Sequence, residues 1–570
     1  DRASSAAAEI SSNTITNIGT IAVDGGSEGA YVDGIKLNAT ASADNADTAV
    51  VTNNTITNMG LIYAKDDGVE LSADDTDTGD SITDNTVTNS YAGRIVTGGD
   101  GITINDTDTA DAVSGNAVTN SGLIVSDTGM TLNGAALIKG ASFGFNADTA
   151  TANVGTAVRI QSPVAQDPET NTVNLNAPSY IAGQFLFDRD ANVDVNLTSG
   201  ASHSVRWVFE DSGDLGTENF SVSGPVPWFT NMTDLDDPSA GGNGVQGDTD
   251  DIFATIDPSA FAAAPHMLAD LSGMASDMAR DGLERTGDER NGVWIAGRGV
   301  KMEYDGDGRA TIDQEVKTNG LAIGYSHDIG ETGRIGVMIG HNEQDLDVGS
   351  FYGDLYSQSY ENESDGTFIG LHGKGTVGGV EVGLGVAGGR QNHDDRRFVN
   401  DNLQWWGISY ADSSYDSLWY APELSFAIPF AASETFTVTP NIHGRYMSQK
   451  FDGYTETGSN ANATVHSHTI EMSELRAGLD LIKQLNFGSL STRFGYMGRH
   501  QQGDDDVRVT MIGDTKNVPH FSEDMDAGYV GLNLRLGGYN NTVYLEVDGT
   551  YIAGGDMKGG NVGAELSIRF

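Results

Sequence analysis

From residue 291 to residue 570 the chain divides into twelve segments that alternate apolar and polar side chains, joined by links that are in turn short and long. In one segment Val530, Leu532, Leu534 and Leu536 fall on one side of a strand, while Gly531, Asn533 and Arg535 fall on the other. The same split separates Val543, Leu545 and Val547 from Tyr544, Glu546 and Asp548, and Leu475, Ala477, Leu479 and Leu481 from Glu474, Arg476 and Asp480. A soluble antiparallel sandwich alternates too, so the links carry the distinction. They are short around 330–333, 377–379, 431–434, 486–488 and 538–541. They are mostly long and charged at 303–317, 342–364, 391–414, 448–467 and 501–520, with only 554–559 shorter. Strands of about ten residues in even number, with short turns at one end and long loops at the other, are the pattern of an outer-membrane barrel. An even strand count returns both barrel ends to the short-turn side. A segment that precedes residue 291 therefore reaches the long-loop side only by threading the lumen.

Residues 257–285, DPSAFAAAPHMLADLSGMASDMARDGLER, are suited to that path. Asp257 followed by Pro258 reads as an N-cap with proline in the first helical position, and Pro265 offers a second start or a kink. Leu268, Leu271, Met274 and Met278, with Met267 and Ala275, recur at helical spacing. A helix over 265–283 would span roughly 28 Å at 1.5 Å per residue, close to the hydrocarbon thickness of a bilayer. Asp270, Asp277, Arg280, Asp281 and Glu284 are too costly for lipid, so such a helix crosses inside a polar lumen. An amphipathic helix packed on a soluble domain is the competing reading of this stretch alone. Inward positions of the barrel supply its partners: Glu381, Glu423, Arg445, Glu474, Arg476, Arg493, Arg535, Glu546, Glu565 and Arg569 are expected to face the lumen, pair across it and grip the helix.

The first 160 residues repeat. NTITNIGTI from Asn13, NTITNMGLI from Asn54, NTVTNSYAGRI from Asn85 and NAVTNSGLI from Asn116 each precede a second and a third short strand. A unit of three such β-segments with single Ile, Val or Leu residues cannot close a core alone. Stacked units form a right-handed parallel β-helix with asparagine ladders at one corner. An unstructured Asn-rich tract is the alternative. Residues 161–257, with TVNLN, GQFLF, VDVNL and SVRWVF, suit the last coils and a cap, and the Gly/Asp-rich run at 241–251 a connector.

Eighty-one acidic and 31 basic residues give a formal net charge of −50, with 37 acids and 8 bases up to Asp257, so nucleic acid is not an expected partner. Cysteine is absent, which argues against disulfides, Cys–Zn sites and thiol nucleophiles. No cofactor is expected. The acidic loops at Asp74, Asp75, Asp77 and Asp80 and at Asp106, Asp108 and Asp111 offer oxygen ligands for Ca²⁺, but they lack a glycine-rich nonapeptide, and a solvated acidic edge is the stronger reading. Three Gly-x-Gly-x-x-Gly strings, at 242–247, 373–378 and 383–388, lie outside any βαβ context and read as linker or lumen glycines. Gly25-Gly26-Ser27-Glu28-Gly29 matches a nucleophile-elbow string, yet the only histidine before the helix is His203. A hydrolase is therefore not expected there.

The chain ends GAELSIRF, with Leu566, Ile568 and Phe570 on one face of the last strand. This terminus resembles the signal by which bacterial outer-membrane proteins are recognised for barrel assembly. A β-helical repeat, a cap, a pore helix and a twelve-stranded barrel, in that order, resemble the monomeric autotransporters of type Va secretion. The resemblance implies an all-β chain with four parts: passenger repeats at 1–160, a cap or autochaperone-like region and linker at 161–257, a pore helix and linker at 258–290, and a translocator barrel at 291–570. It also implies location in the outer membrane of a Gram-negative bacterium with the passenger at the cell surface. The implied partners are outer-membrane lipid, the barrel assembly machinery and periplasmic chaperones, with host or sibling-cell surfaces as targets of an adhesive or self-associating passenger. The family's Asn-Asn cleavage pair is missing between Asp257 and Arg285, so the passenger is expected to stay attached. A surface-displayed hydrolase on the same barrel and a non-secretory porin are the alternative functions.

Overall fold

The computed structural model describes residues 7–23, 32–41, 48–74, 80–106, 112–126, 155–161, 170–187, 192–209, 218–231, 251–283, 291–330, 332–353, 355–502, 506–520, 524–537 and 542–570. The run at 241–250 and most of the acidic loops lie outside them.

Twelve antiparallel strands make the barrel: Asn291–Tyr304, Gln314–Ile329, Gly333–Gly349, Gln358–Val377, Val380–Asp401, Ile408–Ala427 with its continuation Phe430–Ser433, Phe436–Phe451, His468–Leu485, Gly488–Gln502, Met525–Gly537, Val543–Gly554 and Met557–Arg569. The first strand pairs with the last from Gly292↔Arg569 to Tyr304↔Met557, which removes every free edge. Many strands are longer than the expected ten residues, reaching 22 in Val380–Asp401. The outward face explains this. Along Gly333–Gly349 the exposed side chains change from Ile335, Val337 and Ile339 to His341 and Glu343. The upper limit of the apolar belt runs through His341, Thr367 and Arg390, which are register neighbours. Above it the strands remain paired, so the links expected as long loops are largely strand that has left the lipid.

Before the barrel, short strands stack in parallel. Thr14–Asn17, Thr55–Asn58, Thr86–Asn89, Ala117–Asn120, Asn171–Asn176, Val193–Thr198 and Glu218–Ser223 form one seven-stranded sheet. Ile15 aligns with Ile56, then Val87, Val118, Val173, Val195 and Phe220, and these inward residues join the β-helix core. Among the described residues each repeat contains four strands, not the expected three. The extra ones, Ala7–Ser11, Thr48–Thr52, Ser81–Thr83 and Ala112–Ser114, are set off from the NTITN strand by a single left-handed residue: Ser12, Asn53, Asp84 or Gly115, at φ of 58°, 55°, 57° and 66°. Glycine, asparagine and aspartate tolerate that conformation best, which accounts for the residue type at three of the four corners.

The expected asparagine ladders form among the described residues, one at each end of the strand and not both at one corner. Asn13 Nδ2 donates to Asn54 Oδ1 (2.9 Å), Asn54 to Asn85 (2.9 Å), Asn85 to Asn116 (3.0 Å) and Asn116 to Asn171 (3.1 Å). The second runs Asn17, Asn58, Asn89, Asn120 and ends on Ser179 Oγ. Buried amides need such partners, and identical coils supply them in register. Parallel winding stops where Val205–Phe209 pairs antiparallel with Asp251–Ala254. Phe185, Phe209, Phe220, Phe253, Trp207 and Trp228 fill this end.

Candidate functional site: the plugged lumen

The helix spans Ser259–Leu283, 25 residues against the 19 expected from Pro265 onward. Asp257 caps it: its Oδ1 accepts from Ser259 N (3.0 Å) and Ser259 Oγ (2.6 Å). Pro265 lies inside and neither starts the helix nor ends it. Twenty-five residues span about 37 Å, enough to run through the barrel and reach the chain outside. Leu268, Leu271, Met274 and Met278 are all buried, packed with Trp294, Met338, Phe368, Trp419 and Met447 of the wall. Close approach is built in near the lower end, where Trp294 lies over Gly282: a Cβ there would stand 2.3 Å from the indole ring. Ser326 Oγ, which accepts from Trp294 Nε1 (3.3 Å), donates to the Gly282 carbonyl (2.8 Å).

Two polar clusters fix the helix along its length. At the upper one, Arg499 Nη2 donates to Asp270 (2.9 Å) and Tyr304 Oη donates to the other oxygen of the same carboxylate (2.7 Å). Arg499 Nε also reaches Glu474 (3.0 Å), which accepts from Arg445 (2.9 Å) and Arg476 (2.7 Å), and Arg445 further donates to the Ala269 carbonyl (3.2 Å). At the lower one, Arg298 bridges Asp281 of the helix (2.7 Å) and Asp548 of the wall (2.7 Å). Ser276 Oγ donates to Glu423, whose carboxylate also lies 3.2 Å from His443 Nε2. Each described helix carboxylate thus has an arginine of the wall within 3.7 Å, and Arg280 pairs within the helix with Asp277 (2.6 Å), the condition under which buried charge is tolerated.

Of the inward residues read from sequence, Arg445, Glu474 and Arg476 meet in the upper cluster, and Glu423 touches the helix. Arg535 pairs with Glu546 (3.1 Å), and Arg535 and Arg569 stand over the Tyr544 ring, with Glu565 buried on the same wall. Glu381 and Arg493 line a cavity of about 960 Å³ below the plug that extends to the short turns at Pro429 and Phe487. Sequence reading put Asp548 on the polar face of its strand without giving it a role, and missed Arg298, Tyr304 and Arg499; the signal for Arg298 was the one charge among the inward positions of its strand, which otherwise carry Gly292, Trp294, Ala296, Val300, Met302 and Tyr304. Leu566, Ile568 and Phe570 point outward, 44, 49 and 64% exposed, where lipid surrounds the barrel.

Residues 293–550 match the sequence profile of the autotransporter beta-domain family. The chain carries an autotransporter β-domain. It is accordingly an outer-membrane protein, and the autotransporter's lipid-facing belt is the apolar ring described above. No curated protein matches the chain. Among solved structures, the translocator domain of the autotransporter NalP from Neisseria meningitidis is 15% identical, covers 54% of this chain and 99% of its own, and gives a TM-score of 0.44. The transport unit of AIDA-I from Escherichia coli is 14% identical, with coverage of 55% and 99% and a TM-score of 0.36. The beta domain of the Bordetella autotransporter BrkA is 13% identical, with coverage of 50% and 100% and a TM-score of 0.37.

His203, the one histidine before the helix, is buried and stands edge-on to Trp207 and Trp228 at 5.2 and 5.7 Å, and burial lowers its pKa to about 3. Ser27 lies outside the described residues. Of the acidic-loop residues suggested for Ca²⁺, Asp75, Asp77, Asp108 and Asp111 do as well, while Asp80 is buried and accepts from the Ala49 amide (2.6 Å). Asp33, Asp67 and Glu70 do converge, and two of them hold the Lys36 ammonium, 3.3 Å from Asp33 and 2.5 Å from Glu70.

Proposed function

We propose that this autotransporter exports its N-terminal β-helix through its own barrel and displays it, still attached, at the cell surface, where it adheres or self-associates. One observation carries the reading. The chain enters the lumen beside Asn291 at the short-turn end, crosses it as the Ser259–Leu283 helix, and meets the β-helix on the long-loop side through residues 255–258. That path is what remains after a passenger has been drawn through the pore, and a porin has no use for it. Leu566, Ile568 and Phe570 serve as the signal read by the barrel assembly machinery, after periplasmic chaperones have kept the chain unfolded. The passenger acts as a surface, since its strands present threonine, asparagine and aspartate and its histidine is walled in. Digestion of intact cells with an added protease tests this: fragments from residues 1–250 should appear while the barrel survives. Protection of the β-helix in intact cells but not in lysed ones would reverse the topology and remove the proposal.

A further inference from the structure

One face of the β-helix is uniform where the others are mixed. On the outward side of the NTITN sheet, a rank runs Thr14, Thr55, Thr86, Ala117 and Thr172, in register from coil to coil. Two residues along each strand a second rank runs Thr16, Thr57, Thr88, Thr119 and Asn174. Threonine thus fills all but two positions, Ala117 and Asn174. Strand propensity favours threonine on any outward face, yet the neighbouring sheets place Glu9, Val50 and Ser81, or Lys36, Glu70 and Arg159, at equivalent positions. Residues 13–17, 54–58, 85–89 and 116–120 hold no charge and no aromatic ring, although the chain up to Asp257 carries 37 acids and 8 bases. Charge enters this sheet only at Asp194 and Glu218. Thr14, Thr16 and Thr55 are exposed and the other threonines half-buried. Among the described residues, the hydroxyls of Thr14, Thr16, Thr55, Thr57, Thr86 and Thr88 bond to no other protein group. Elsewhere such groups satisfy one another: Thr52 and Thr83 of the adjacent sheet are joined at 3.0 Å, and Asn174 donates to Thr119 (3.1 Å).

We infer that this threonine face binds ice. Its net of hydroxyls is rectangular: strands stand about 4.8 Å apart and alternate residues about 6.6 Å apart along each strand, close to the repeat of water oxygens on a prism face of hexagonal ice. The net is also rigid. Threonine's branched Cβ permits few rotamers, so hydroxyls and methyls keep a common orientation from coil to coil. The asparagine ladders at both ends of the strand, Asn13 to Asn171 and Asn17 to Asn120, are side-chain ladders of the kind that hold stacked strands flat. A hydroxyl met by a lattice water gains over one met by liquid water, because the crystal has already immobilised that molecule. Charge fits as well, since ice excludes ions and this face offers none. Other occupants fit less well. A protein partner would find none of the Trp, Tyr or Arg anchors that carry interface energy, and a sugar ring would find no aromatic plane to stack on.

The inference names a ligand for the displayed surface and so rests on the display reading, but its first test does not. The full chain in detergent micelles is placed around a cooled probe on which ice grows slowly, beside an inert soluble protein as tracer, and the ice is assayed for both. The parent should enter the ice while the tracer stays in the liquid. T57K/T88K sets two charges in the middle of the face, and because ice cannot solvate them, enrichment should fall by about tenfold or more. Ser81→Lys, outward on the neighbouring sheet, should keep the parental value. Resistance of each β-helix to a protease pulse checks folding, and if the double variant fails there, the single Thr57→Lys decides by the same comparison. Exclusion of the parent with the tracer, or equal enrichment of parent and T57K/T88K, would overturn the inference. Binding to microcrystalline cellulose that T57K/T88K loses, with no entry of the parent into ice, would overturn it in favour of a polysaccharide site. Ice entry in micelles by a chain whose cells never attach to ice would count against the display reading instead.

Discussion

Arg499 and Arg298 show how single residues decide what a membrane lumen tolerates. Each spans helix and wall, Arg499 joining Asp270 to Glu474 and Arg298 joining Asp281 to Asp548, so the carboxylates of the helix are not left alone in a confined space. The alternation that places them inward was legible, because lipid on one face and lumen on the other impose period two on each strand. Which charge meets which was not: Arg298 and Asp548 are 250 residues apart, and only barrel closure makes them neighbours. A second residue-scale effect lies in the β-helix. Burial pushes the Asp67 carboxyl up to about 7, although the Asp100 amide donates to it (2.8 Å) and pulls the other way. Its folded value exceeds the unfolded value near 3.9, so its contribution is fully present below that value and is lost as pH rises through 7. Between pH 5 and pH 8 the β-helix should lose about 1 kcal/mol through this group, allowing for its partial exposure. Pulse proteolysis of the parent and of Asp67→Asn should give curves that converge at pH 5 and separate at pH 8, the variant being more stable there. Parallel curves across that range would mean that Asp67 ionises normally.

At the scale of elements, the helix and the barrel strands were both placed by sequence and both cut short. Proline at 265 argued for a late helix start, but a helix in a lumen is held by its walls, and tertiary packing outweighs the one backbone bond that proline removes. The strands were cut for a different reason. From Gln391 to Arg397 the inward residues Gln391, His393, Asp395 and Arg397 are as polar as the outward Asn392, Asp394 and Arg396. Above the membrane both faces of a strand are polar, and period two disappears from the sequence while persisting in the fold. The helix is also covered from outside. Asp506–Met511 and Asp514–Pro519 join Ala463–Val465 and Tyr454–Thr455 in a small sheet, and Val507, Val509 and Met511 pack with Phe261 near the helix start. Replacing Leu271 and Met274 by aspartate puts two charges where apolar side chains now meet the wall, and each desolvated charge costs several kcal/mol. Single-channel recordings of L271D/M274D in planar bilayers should show conductance above the parental level. Parental conductance would move the seal from the helix to the small sheet outside.

For the molecule as a whole, the fold joins two bodies of opposite habit, an apolar-belted barrel and an acidic β-helix, and the extended strands between them are where sequence said least. Tyr63, Val96 and Val125, on the outer face of one β-helix sheet, are buried against Tyr352, Leu355 and Tyr356 from the barrel's long links. The β-helix is therefore seated on the barrel and presents only its remaining faces to the medium. Those faces carry much of the charge, since 37 acids stand against 8 bases up to Asp257. They also carry exposed Ile18, Met59 and Tyr91 at successive turns. Two such surfaces repel over about 10 Å at 0.1 M salt and over less as salt rises, whereas apolar contacts between turn residues gain nothing from low ionic strength. If the passenger self-associates, clumping of cells that display the full chain should strengthen from low to moderate salt. Ca²⁺ should act at lower concentration than Na⁺ by bridging carboxylates. Cells displaying the barrel alone are the reference. Equal settling of the two at every salt and Ca²⁺ concentration would exclude self-association and make a foreign surface the passenger's target.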